Sequence, residues 1–584
     1  MTVLFLNLKW YFVVIFFLSR LGVFAQGEDN FRLNQIGFYS EGPKTAIVIT
    51  NSKSSFSVQS IKGKMVFKGQ LQATASPSLS GKQTLYADFT SLKKSGRYVI
   101  QVDGIGQSYP FVIEKKPFRD VGKAAMKSYY FQRASVSLPE KHAGKWHRAA
   151  GHPDTLVLVH PSAASASRPA GYTIASPRGW YDAGDYNKYI VNSGITMGTM
   201  LSLYEDYPQY VKSLHLNIPE SKNAIPDFLD ELLWNIRWML TMQDPADGGV
   251  YHKLSNPKFD GMVMPDKAKF PRYVVQKSTA ATLDFAAVMA QASRVLQTYA
   301  KSLPGLSDSC INAAQYAWKW AQENPNDYYD QNKINQQFKP EISTGAYGDS
   351  DVRDEFKWAA AELYVSTADL RYYEAIKIGP DEPLSLPNWS QVKLLAYYTL
   401  FRHEQKLHAQ ARSDIQLLKT KFLMFADQLV NGAERNAFKT VMGQTLRDFN
   451  WGSSANAANQ GVVLLQAYRL SGNEQYLNYA LSNVDYILGR NATGYSYVTG
   501  FGSKLVKHPH HRLSVADGID DPIPGFLIGG PNPGAEDKII TSSKVPDEAF
   551  VDDDCSFATN EIAINWNSPL VYLLNALEAT YLSK

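Results

Sequence analysis

The sequence predicts a two-part chain, a small all-β sandwich followed by a large all-α domain. Three observations carry this reading. Short alternating runs fill residues 31–114, the apolar period turns helical after Pro117, and 584 residues exceed one ordinary domain. Apolar residues make up 45% and charged residues 20%, which is a globular composition and excludes a disordered or fibrous chain. Lysine and arginine number 59 against 55 acids, a net charge of +4, too small an excess for a dedicated nucleic-acid binder. The two cysteines, Cys310 and Cys555, exclude a disulfide scaffold and a four-cysteine zinc site within one chain.

Residues 1–25 read as a signal peptide. Lys9 precedes an apolar run from Trp10 to Leu18 that is too short for a bilayer core of about 30 Å. Val23-Phe24-Ala25 supplies the small residues of a cleavage site, so cleavage is expected after Ala25. The competing reading is an uncleaved anchor. No later stretch is apolar enough to span, so the mature protein is expected to be secreted or periplasmic, with no membrane partner.

The β part occupies 26–116. Segments 44–50, 64–71, 83–90, 97–103 and 108–114 are strand candidates separated by Gly, Ser, Asn and Lys. Leu85, Ala87 and Phe89 alternate with Tyr86, Asp88 and Thr90, as a half-buried strand requires. Ser95-Gly96 and Asp103-Gly104 mark turns, and several strands in so short a stretch suggest a sandwich. The helical part occupies 117–584. Leu229, Leu232, Leu233, Ile236 and Leu240 form one helical stripe, with Pro226 at its first turn. Phe285, Val288, Met289, Ala292 and Leu296 form a second; Leu570, Leu573, Leu574, Leu577 and Tyr581 form a third. Between them lie loops 146–183, 241–277, 338–354 and 490–560, and loops of that length are usually functional.

Three segments concentrate carboxylates, histidine, arginine and aromatics. The first runs from Gly179 and Trp180 through Asp182-Ala183-Gly184-Asp185 to Tyr189. Two aspartates three apart around a glycine can face one cleft, one holding a water and the other tuning it; the alternative is a helix N-cap. The second, 496–512, ends in His508-Pro509-His510-His511-Arg512, whose donors suit sugar hydroxyls and whose spacing matches no strong zinc pattern. Its alternative is a solvated basic loop. In the third, 550–569, Asp552, Asp553 and Asp554 precede Glu561 at the start of a hydrophobic helix. A crowded, desolvated carboxyl keeps its proton to higher pH, as a general acid must; the alternative is a charge placed at a helix N-terminus. Together the three suggest two-carboxylate glycoside hydrolysis.

In this combination the chain resembles the family 9 glycoside hydrolases, mostly cellulases. Phe31-Arg32-Leu33-Asn34-Gln35-Ile36-Gly37-Phe38 is similar to the opening of the immunoglobulin-like domain that precedes many bacterial members. Asp182-Ala183-Gly184-Asp185 matches the family's base motif, and 496–512 and 550–568 match its two long signatures. Ile225-Pro226-Asp227, Met242-Gln243 and 358–364 agree as well. The resemblance implies an (α/α)6-barrel catalytic domain preceded by a small all-β immunoglobulin-like sandwich. It implies hydrolysis of β-1,4-glucan with inversion, by carboxyls about 6.5–9.5 Å apart.

By the same resemblance Asp185 is the general base, Asp182 its partner on the water, Glu561 the general acid and Asp552 an assisting aspartate. His510 and Arg512 match the sugar-binding pair, His510 beside the reacting groups. Trp566 falls where the family keeps an aromatic beside the acid, and His252, Tyr347 and Trp180 are further cleft candidates. The family's calcium loop is matched by Ser350, Asp351, Asp354 and Glu355, oxygen ligands that suit a hard cation; plain helix capping by Asp354 and Glu355 is the rival reading. Some relatives with the β domain bind zinc through two cysteines, but Ala134 and Gly151 stand there, leaving His152 and His160, so no zinc is expected. No organic cofactor is expected. The leading expectation is a monomeric endo-β-1,4-glucanase acting on a glucan, with an exo-acting glucosidase or glucosaminidase of the same family behind it. Loops 146–178 and 513–548 could close one end of such a cleft. A noncatalytic glycan-binding protein ranks last, because Asp182, Asp185 and Glu561 are all present. No separate cellulose-binding module or dockerin is expected after Lys584, so crystalline cellulose is not the expected best substrate.

Overall fold

The computed structural model describes residues 28–74, 79–379, 383–539 and 541–584; the signal-peptide expectation lies outside the described residues. Ten short strands build the β part: β1 Phe31–Arg32, β2 Gly37–Tyr39, β3 Thr45–Ile49, β4 Ser55–Ser60, β5 Met65–Gln70, β6 Gln72–Ala73, β7 Thr84–Asp88, β8 Gly96–Val102, β9 Gly106–Gln107 and β10 Phe111–Glu114. One sheet runs β1-β3-β7-β6; the other runs β2-β10-β8-β4-β5, with β9 on β8. The expected alternation holds, with Leu85, Ala87 and Phe89 buried and Asp88 exposed. Phe38 packs edge-on against Phe89 and Phe111, each at 5.3 Å, at the centre of the sandwich. Strand β4 was not among the expected segments. Its serines read as loop, yet Phe56 and Val58 alternate into the core.

The β part braces the helical part through its opening motif. Asn34 Nδ2 donates to Asp485 Oδ1 at 2.8 Å, and Tyr39 donates to Glu578 Oε1 at 2.8 Å while stacking on Tyr581. Gln35 reaches further. Its Oε1 accepts the backbone N–H of Ser503 and Lys504 at 2.7 and 2.8 Å, and its Nε2 donates to the Gly494 carbonyl at 2.7 Å.

Among the described residues twelve helices form the barrel: α1 Arg119–Phe131, α2 Ile190–Asp206, α3 Asp227–Thr241, α4 Thr279–Leu296, α5 Leu306–Glu323, α6 Arg353–Thr367, α7 Leu370–Ile376, α8 Lys393–His403, α9 Ala409–Ala433, α10 Ser453–Ser471, α11 Glu474–Ile487 and α12 Ile564–Leu582. The even-numbered helices are buried nearly all round. Around this inner ring α12 packs on α2, α2 on α4, α4 on α6, α6 on α8, and α10 on α12. Odd-numbered helices form the outer ring and bury one stripe, as in Ala411, Ile415, Leu418, Phe422, Ala426 and Val430 of α9. This is an (α/α)6 barrel. The long loops are not structureless. Strands β11 Val157–Val159, β12 Thr173–Ile174, β13 Lys188–Tyr189, β14 Lys253–Ser255 and β15 Tyr273–Val274 form a sheet in the order β12-β11-β15-β14-β13. Strands of two or three residues leave no periodicity to read.

Candidate active site

The site lies where the inner helices begin. Asp182, Asp185 and Tyr189 precede α2, Tyr347 precedes α6, Trp389 precedes α8, Trp451 precedes α10, and Glu561 lies just ahead of α12. With Phe259, Glu536 and Trp566 they line an open cavity of about 580 Å³. Helix N-termini carry partial positive charge, so this end of the barrel suits carboxylates. A larger hollow of about 830 Å³ beside α5 and α6 contains none of Asp182, Asp185 and Glu561.

Backbone contacts fasten the three signature segments together. Ala183 bridges Ala563, Ile564 N–H donates to the Asp182 carbonyl at 2.8 Å, and His510 pairs with Glu561 in parallel. Gly184 is required between the aspartates, because a Cβ there would come 2.2 Å from the His510 carbonyl oxygen. Neither aspartate caps a helix: α2 begins at Ile190. Glu561 also differs from its expected helix-end placement. It sits in extended backbone, φ −71° and ψ 154°, between a one-turn helix Phe557–Asn560 and α12.

The three carboxyls have different environments. Asp182 accepts Asn192 Nδ2 at 2.9 and 3.1 Å on its two oxygens and the Tyr347 hydroxyl at 3.1 Å. Burial, then the neighbouring Asp185, pushes its pKa well above the carboxylate range. Asp185 Oδ2 accepts from Asn187 Nδ2 and from the Tyr189 hydroxyl at 3.3 Å, while its buried Oδ1 has no protein partner. Burial and then Asp185 and Asp182 push Glu561 well above its ordinary pKa, with Arg512 opposing. One carboxyl with a free oxygen and one that holds its proton to higher pH face the same cavity.

The other expected site residues divide into two groups. Tyr347 and Trp566 line the cleft. Tyr347 does so at φ +47°, a strained backbone conformation of the kind that clusters at functional sites. His510 donates Nδ1–H to the Asp554 carbonyl at 2.6 Å, since a carbonyl can only accept. Arg512 is buried and donates to the Gly184 and Asp260 carbonyls, both at 2.9 Å, so it braces the aspartate loop. Asp552 accepts the Lys507 and His508 N–H groups at 2.8 and 2.9 Å and Asn560 Nδ2 at 3.1 Å, fixing the backbone on both sides of the Glu561 pairing. Two cleft candidates are corrected. Trp180 is fully buried against Tyr129, its Nε1 donating to Glu231 at 3.0 Å, because left-handed Gly179 turns the chain inward. His252 is fully buried and stacked on Tyr329; its Nε2–H donates to the Ala346 carbonyl at 2.8 Å, holding the Tyr347 loop from behind. Burial pushes its pKa down to about 3.

Phe259, Trp389, Trp451, Glu536, Asn187 and Asn192 were not anticipated. Asn187 lay inside the first of the three segments, 179–189; Trp389 and Trp451 each follow an asparagine or proline loop ahead of an inner helix, a signal visible once the helix starts are known. Asn192 belongs to α2 and gives no sequence signal.

The acidic loop before α6 rearranges the expected metal set. Asp351 is exposed and paired with Arg353 at 2.5 Å, and Ser350 is exposed. Asp354 and Glu355 are buried, and α6 has no side-chain N-cap, so capping does not account for them. No donor reaches Glu355 Oε1 or Oε2, Asp284 Oδ1 or Oδ2, or Asp349 Oδ2. Burial first, and then each other's charges, pushes Asp284 and Glu355 well up. Buried carboxylates without donors fit a hard cation. The tighter cluster of Asp553, Asp554 and Cys555, with ligand atoms within 4.8 Å, lies on the exposed rim. At the expected zinc position, a Cβ on Gly151 would meet Pro265 at 2.5 Å; His152 pairs with the Tyr181 hydroxyl and His160 with Ser162 and the Pro340 carbonyl.

Two acids and a third carboxyl across an aromatic cleft, at the open end of a helical barrel, define a glycoside hydrolase. The model of glycosyl hydrolase family 9 matches residues 118–574, and that of the cellulase N-terminal ig-like domain matches residues 26–107. A xyloglucan-specific endo-beta-1,4-glucanase of Bacteroides ovatus is 48% identical over 554 residues, 94% of each chain. Endoglucanase D of Acetivibrio thermocellus is 34% identical, covering 96% of this chain and 85% of its own. A solved family 9 structure from Bacteroides ovatus superposes with a TM-score of 0.91 at 46% identity, covering 95% of this chain and 99% of that one. The chain belongs to glycosyl hydrolase family 9, with the immunoglobulin-like domain at its N-terminal side.

Proposed function

We propose that the protein is an endo-β-1,4-glucanase that cleaves with inversion and prefers xyloglucan, exported by the leader expected at 1–25 and acting as a monomer. The observation that carries the chemistry is the unequal pair: Asp185 keeps an oxygen free for water, and Glu561 keeps its proton for the leaving oxygen. The exposed rings of Phe259 and Trp451, both on the cavity wall, supply stacking faces beyond the reacting centre. Among the described residues of loops 146–178 and 513–548, Glu536 alone lines the cavity, which favours an open, endo-acting cleft. Xyloglucan is taken from the printed specificity of the relative with 48% identity. No described helix is long and apolar enough to cross a membrane. The cation proposed for Asp349, Asp354, Glu355 and Asp284 is calcium, which would stiffen the loop leading to Tyr347. Zinc is not part of the proposal.

The test compares xyloglucan, carboxymethyl-cellulose and short p-nitrophenyl β-glycosides, following viscosity and reducing ends together. Viscosity should fall early on xyloglucan, and the first product anomer should be α. Release of monosaccharide from chain ends without loss of viscosity would reject endo action. A β anomer as first product would reject inversion.

A further inference from the structure

The candidate base is held by a chain of amides, and the inference drawn from it rests on the glucanase reading above. Asn187, whose Nδ2 donates to Asp185 Oδ2, is 1% exposed and is itself oriented. Its Oδ1 accepts the Asn256 backbone N–H at 2.8 Å and faces the Ser255 hydroxyl at 3.2 Å. A backbone N–H only donates, so the amide must turn its NH2, and never its carbonyl, toward Asp185. Asn256 is anchored in turn. Its Oδ1 accepts Arg272 Nη1 at 3.0 Å, and its Nδ2 donates to Asp260 Oδ2 at 2.5 Å. Arg272 pairs with the buried Asp154 at 3.1 Å, which also takes Lys188 Nζ at 2.7 Å. Topology makes this chain possible, because β13 and β14 pair antiparallel with Lys188 opposite Leu254, bringing Asn187 beside Ser255 and Asn256.

We propose that Asn187 is a positioning residue for the general base: its amide ties down Oδ2 of Asp185, so that Oδ1 alone faces the nucleophilic water and takes its proton. In that step the water oxygen bonds to the anomeric carbon as its proton passes to Oδ1. The Glu561 proton passes to the departing glycosidic oxygen as the C–O bond breaks. Three carboxyl groups, Asp182, Asp260 and Glu561, face Asp185. Lys253, His510 and the phenols of Tyr189 and Tyr347 face it as well. A neutral donor favours the charged carboxylate without bringing another titrating group to the site.

Two readouts test this. In Asn187→Ala and Asn187→Asp, the acid limb of kcat/KM on xyloglucan or carboxymethyl-cellulose should move to higher pH by about one unit, more in the aspartate variant, which adds a fourth carboxyl. The fall should be in kcat, by roughly tenfold or more, with KM changed by less than about twofold, because the amide touches no substrate. Asn187→Asp keeps the side-chain shape and serves if the alanine variant does not fold. The second readout needs no substrate. Carboxyl ¹³C NMR of aspartate-labelled protein, with the Asp185 resonance assigned from Asp185→Asn, should show the same upward movement. An unmoved Asp185 titration in both variants overturns the proposal, as does a loss of kcat with the acid limb in place. If the wild-type protein cleaves none of these glucans while the NMR shift appears, the substrate reading fails and the clamp stands.

Discussion

Asp182 and Asp185 are separated by two residues and differ in what is left over after hydrogen bonding. Both Asp182 oxygens accept a donor, whereas Asp185 retains Oδ1. The truncated base should therefore be replaceable by a small anion. Azide is expected to restore part of the activity of Asp185→Ala on an activated glycoside and to give the α-azide adduct, with little effect on Asp182→Ala. Rescue confined to Asp182→Ala would exchange the two roles. Glu561 is held above its ordinary pKa by burial and two aspartates, so the proton it needs is lost only as pH rises through that raised value. Glu561→Gln should lower turnover on glucan by about 10²–10⁴-fold and remove the alkaline limb of the pH profile. Retention of more than about a tenth of the activity would reject it as the acid.

At the scale of elements, the β part contributes by holding a loop it does not belong to. Gln35 is 6% exposed and satisfies three backbone groups at 494, 503 and 504, in the segment that leads to His510. Gln35→Ala leaves those groups without partners, each such loss costing about 1–3 kcal/mol when buried. The thermal midpoint should fall, and amide exchange over 494–504 should quicken relative to α4 and α12. An unchanged midpoint with unchanged exchange would mean the brace contributes nothing. This contact was hidden in the sequence because the motif 31–38 and the signature 496–512 lie more than 450 residues apart.

Across the whole molecule the proposed calcium ties together parts that are distant in the chain. Asp284 belongs to α4, Asp349 to the loop before α6, and Asp354 and Glu355 to the first turn of α6. A ligand bound by the native state alone stabilises it by mass action. Exhaustive EDTA dialysis should lower the melting temperature, and added calcium should restore it. An unchanged melting curve, with no calcium in elemental analysis of untreated protein, would remove the ion from the account. One equivalent of zinc in that analysis would show ligands around His152 or His160 beyond those described here.

The sequence by itself determined the parts and their order. Alternation such as Leu85, Ala87 and Phe89, and stripes such as those of α3, α4 and α12, are local patterns set by strand and helix geometry, so they survive in one dimension. The signatures around Asp182, His510 and Glu561 were legible for a related reason: reacting groups and the glycines that admit them must sit at fixed short spacings. Only the tertiary structure decided what each group experiences. Trp180 and His252 turned inward, the buried acids near α6 became Asp284, Asp354 and Glu355 with the half-buried Asp349 beside them, and Asp185 kept its free oxygen. Burial, hydrogen-bond partners and charge neighbours come from distant chain, as in the Tyr347 hydroxyl on Asp182 across 165 residues. No local pattern encodes which side chains will meet in the folded interior.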